Sequence, residues 1–87
     1  MLTVEYIQNV YNYLEEKWEQ YSTRPQERHQ IEQIVRLYSH NLDDDLYLRL
    51  NEGRASGLFE HGFFEVDLQR ALAKLLELQN SISDTEE

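Results

Sequence analysis

The chain has no cysteine. Disulfides, thiolate metal sites and cysteine nucleophiles are excluded, and the redox compartment stays open. Positive charge is scarce: 8 Lys and Arg stand against 17 Asp and Glu, a formal net charge of −9. Nucleic-acid binding needs a basic patch, so direct contact with DNA or RNA is not expected. No apolar run approaches the ~20 residues that span a bilayer. Met1 is followed by a polar, amphipathic segment carrying Glu5, which is not the pattern of a secretory leader. A soluble, cytoplasmic protein without membrane contact is the expectation. Glycine occurs three times and proline once, so breaks in regular structure are few and easily placed.

The length of 87 residues allows one domain, and the 40% apolar share can fill one modest core. A chain this short buries only about 60–65% of its unfolded surface, so self-association would help it. The pattern predicts an all-α fold: a small bundle of three to four helices, completed alone or by dimerisation. It reads as a single domain over 1–82, with a polar, frayed tail over 83–87.

The first helix is expected from about Thr3 to Tyr21. Val4, Ile7, Tyr11, Leu14, Trp18 and Tyr21 repeat at 3-4-3-4-3, a heptad seam. Tyr6, Val10 and Tyr13 widen the apolar arc to roughly 200°, about twice what one neighbour needs. Tyr11, Trp18 and Tyr21 sit on the seam and are expected in the core. Tyr6, Val10 and Tyr13 form its shoulder, and Tyr suits interfaces because an apolar body carries a water-tolerant hydroxyl. They are the interface candidates, together with Leu72 and Leu76 on the last helix.

Around Ser22–Gln26 the helix stops and restarts, with Thr23 and Gln26 at capping-box spacing and Pro25 in the first turn. The second helix should reach Ser39–Asn41 and bury Ile31, Ile34, Val35, Tyr38 and Leu42. Its other face carries His29, Gln33, Arg36 and His40, a polar stripe within about 60° that suits an acidic partner segment. Asp43 can cap a third helix over Asp44–Glu52, with Gly53 as its stop and Leu42, Leu46 and Leu50 inward. Leu46, Leu48 and Leu50 also alternate as a strand would, in a hairpin with 58–64. Gly57 and Gly62 in that partner segment favour the helix. Leu58 and Phe59 should anchor the connection. The last helix starts near Phe63 or Phe64, with Phe64, Leu68, Ala71, Leu75, Leu78 and Ile82 at 4-3-4-3-4 and with Leu72 and Leu76 beside them.

No catalytic motif emerges. Ser56 and His61 lack a nucleophile elbow, and Gly53–Gly57 lacks the Lys-Ser/Thr of a phosphate loop. No cofactor is implied. His40, Asp43, Asp44 and His61 have ligand-type chemistry, as do Glu52, Glu60 and Glu65, but paired Glu-x-x-His motifs are missing. The leading expectation is a non-enzymatic interaction or regulatory module that docks through helix faces, to a second copy or another protein. The alternatives are an acidic mimic of nucleic acid, using Glu5, Glu15, Glu16 and Glu19 with the Asp43–Asp45 block, and a small metal-binding protein.

Overall fold

The computed structural model describes residues 2–52, 54–60 and 62–85, with side chains through 82. Four helices form a bundle, α1 (Val4–Thr23), α2 (Arg28–His40), α3 (Asp44–Asn51) and α4 (Phe64–Thr85), with a 3-10 turn at Pro25–Glu27. Among the described residues there is no strand, so the hairpin alternative falls away. The molecule measures 45 × 28 × 19 Å.

The breaks have local causes. Thr3 starts α1 by accepting the Tyr6 amide at 3.1 Å. Pro25 has no amide to continue the ladder and forces Arg24 out of helical geometry, to φ −127°. The expected Thr23–Gln26 capping box does not form. Thr23 is still helical and donates its hydroxyl back to the Glu19 carbonyl at 2.9 Å. Asp43 does cap α3, its carboxylate accepting from the amides of Asp45 at 3.0 Å and Leu46 at 3.3 Å. The left-handed residue that ends α3 is Glu52, at φ 57°, one position before the expected Gly53; Gly53 lies outside the described residues. Helix α4 continues to Thr85, beyond the expected end at 82.

Three contacts set the packing. Tyr13 of α1 stacks on Tyr38 of α2, ring centres 3.9 Å apart. Near one end of α1, Gln79 of α4 donates to Gln8 at 2.6 Å. At the other end Tyr21 meets Phe64, ring centres 5.1 Å apart. Helix α1 thus lies antiparallel to both α2 and α4. Its broad apolar arc is shared between them: the Tyr6–Tyr13 side meets α2 and its neighbours, and the Gln8 side meets α4.

The remaining side is closed by α3 and the segment after it. Leu42, Leu46 and Leu50 are buried as expected, as are Leu58 and Phe59. Polar contacts hold the segment down. Asn51 donates its amide to the carbonyls of Arg54 at 3.0 Å and Ser56 at 2.9 Å. The Tyr47 hydroxyl accepts the Leu58 amide at 3.1 Å.

Candidate interaction surface

The shoulder of α1 is the first place to look, and the structure fills it from within. Val10 is 1% exposed and belongs to the core. It offers no surface to a partner, which corrects its reading as an interface residue. Tyr6 and Tyr13 are half-buried against that core. The Tyr6 hydroxyl accepts the Asp43 amide at 2.9 Å, tying α1 to the start of α3. Tyr13 is covered by Tyr38 on one side, with the Lys17 ammonium 5.2 Å from its ring centre. Burial pushes the Tyr13 and Tyr38 hydroxyls above the usual tyrosine range; Glu16 adds to the first shift, Tyr6 and Tyr13 to the second. The excess arc of α1 is therefore spent largely on its own chain. Tyr11, Trp18 and Tyr21 also pack against the core but stay half-buried.

The polar stripe of α2 divides in two. Arg36 is half-buried; its guanidinium lies 3.3 Å from the Glu32 carboxylate and 5.7 Å from the centre of the Phe64 ring. It is engaged in joining α2 to α4. His29, Gln33 and His40 are exposed, and Gln33 donates its amide to the His29 ring at 3.1 Å. His40 borders a shallow polar depression of about 270 Å³ with Ser39, Leu42, Asp44 and Tyr47. His40 and Asp44 are the only metal-type side chains lining it. Among the described residues, no group of three or more His, Asp and Glu side chains is placed to hold a metal ion. His61, part of the expected ligand set, lies outside the described residues.

The open apolar surface lies elsewhere on α2. The sequence placed Ile34 on the buried face, yet Ile34 is 45% exposed and Leu37 is 68% exposed. The helix is rotated about its axis relative to expectation, so that Ile31, Val35 and Ser39 point inward. Ser39 can be buried because its hydroxyl donates to the Arg36 carbonyl at 2.6 Å. Ile34 and Leu37, with Gln30 and Gln33, border an open depression of about 420 Å³. Gln30, Ile34, Leu37 and Asn41 repeat at 4-3-4, and the strip they form carries no carboxylate.

On α4, Leu72 is half-buried and Leu76 is 44% exposed, so that pair leaves some apolar surface open. Other exposed apolar side chains are Leu48 on α3, and Phe63 and Val66 around the start of α4. No described helix is long and apolar enough to cross a membrane. Comparison with protein-family models, curated proteins and solved structures finds no match to this chain.

Proposed function

We propose that this protein is a non-enzymatic interaction module whose docking surface is the outer strip of α2. One observation carries the reading: Ile34 and Leu37 stand side by side, 45% and 68% exposed, over an open depression. Single exposed apolar residues are common on soluble proteins and need no explanation. Two large aliphatic side chains adjacent on one helix, on a chain of net charge −9, form a patch of the kind that binds other helices. The amides of Gln30, Gln33 and Asn41 would form a polar rim around that apolar centre. The half-buried Tyr6 and Tyr13 would act by shaping the bundle, rather than as anchors for a partner.

Site-specific photo-crosslinking in cells that express the chain tests this. A photoreactive residue at position 37 should give discrete adducts. The same residue at Asn12, exposed on α1, should give none. The reading is wrong if position 37 yields no adduct, or only the diffuse background seen at position 12.

A further inference from the structure

We infer that the occupant of the α2 strip is a second copy of this chain, docked antiparallel through a two-fold axis between Ile34 and Leu37. The inference rests on the interaction-module reading and adds the identity of the partner. The 4-3-4 spacing of Gln30, Ile34, Leu37 and Asn41 is that of a short coiled-coil seam. A two-fold contact requires the patch to complement itself. Antiparallel pairing about that axis sets each Ile34 against Leu37 of the other copy, and each Gln30 against Asn41. The apolar pairs fall at the centre and the amides at the ends. The amides are complementary too. Asn41 already donates its side-chain nitrogen to the Leu37 carbonyl at 3.1 Å, which leaves its oxygen as an acceptor. Gln30 is exposed, so its NH2 is open to a partner as a donor.

Charge supports the same occupant. Two molecules of charge −9 repel each other, and a face rich in carboxylates would concentrate that repulsion. The α2 strip carries none, and the one acid of this helix, Glu32, is half-buried and paired with Arg36 at 3.3 Å. The remaining repulsion acts at longer range, where a Debye length of about 8 Å screens it at physiological salt. A 13-residue helix is only about 20 Å long, and one face of it covers less than the ~800 Å² per partner of a stable interface. The dimer is therefore weak, reversible and favoured by added salt.

Sedimentation equilibrium of the full chain over a wide concentration range reads this directly. The expected result is a monomer–dimer equilibrium that strengthens as salt is raised. Ile34→Glu and Leu37→Lys should each weaken it at least roughly tenfold. Mixing the two variants should restore a heterodimer, because antiparallel pairing brings the new acid against the new base and leaves one Leu–Ile pair intact. Leu48→Glu, at an exposed site on α3, should change nothing. A chain that stays monomeric at every concentration overturns the inference, as does a dimer dissolved equally by Leu48→Glu. Failure of the mixed variants to associate overturns the antiparallel arrangement. If position 37 crosslinks only to other proteins while the purified chain stays monomeric, the second copy is ruled out and the module reading survives.

Discussion

Replacing Val10 with Ala separates a core position from a docking position most cleanly. Val10 is 1% exposed and packs with Ile7 and Leu14 in the bundle centre. The change removes two methylene equivalents, about 1.6 kcal/mol at ~0.8 each. The unfilled space costs up to roughly as much again, depending on how far the neighbours collapse. The expected loss is about 1.5–3 kcal/mol. For a domain of this size each kcal/mol lowers the melting temperature by about 4–8 °C. Urea and thermal unfolding followed by circular dichroism would measure both. The deficit should be the same in dilute and concentrated samples, because an intramolecular contact does not respond to mass action. A loss below about 0.5 kcal/mol, or one seen only in concentrated samples, would show that Val10 is not enclosed by its own chain.

Two further outcomes follow from the polar contacts. Asp43→Ala removes the carboxylate that caps two amides of α3 and should cost about 1–2 kcal/mol in urea unfolding; an unchanged midpoint would mean the cap is solvated and idle. The Tyr11 hydroxyl, raised chiefly by its neighbour Glu15, and the half-buried Tyr13 and Tyr38 hydroxyls predict an alkaline loss of stability. Below the unfolded value of 10.0 both states keep these protons, and stability is independent of them. Above it the unfolded chain releases them first, so stability falls as pH rises through the higher native values. Urea midpoints from about pH 8 to 11 should show this decline, and Tyr13→Phe with Tyr38→Phe should flatten it; an unchanged slope in that double variant would refute the assignment.

Much of the architecture is legible in the sequence because its signals are strong and local. Pro25, the Asp43–Asp45 run and two heptad seams mark where helices begin, end and face. Leu46 and Leu50 faced inward as the helical reading required, and the competing strand alternation lost because Asp43 caps a helix at that point. The rotation of α2 was not legible. Tyr38 moves to the side of the helix to stack on Tyr13, and a serine, which no apolar pattern selects, fills the buried face. Ile34 leaves the core as a result.

The exposed apolar strip of α2 escapes the sequence pattern for the same reason. A signal did exist: Ile34 and Leu37 lie three apart on a helix whose Ile31, Val35 and Leu42 already suffice for one buried stripe. The shoulder of α1 misled in the opposite direction. A 200° arc says that two neighbours are needed. It cannot say whether the second is a later stretch of the same chain, and here α2 supplies it.

The bond between Gln8 and Gln79 joins residues 71 apart in sequence. During synthesis, α2 can fold back on α1 soon after it is made, whereas the other half of the α1 arc stays bare until α4 arrives. At about 5–20 residues per second, the roughly forty residues between Tyr38 and Gln79 take about 2–8 s to add. The earliest helix is thus the last to be fully covered, and for those seconds the nascent chain displays the α4-facing half of that arc to whatever waits at the ribosome.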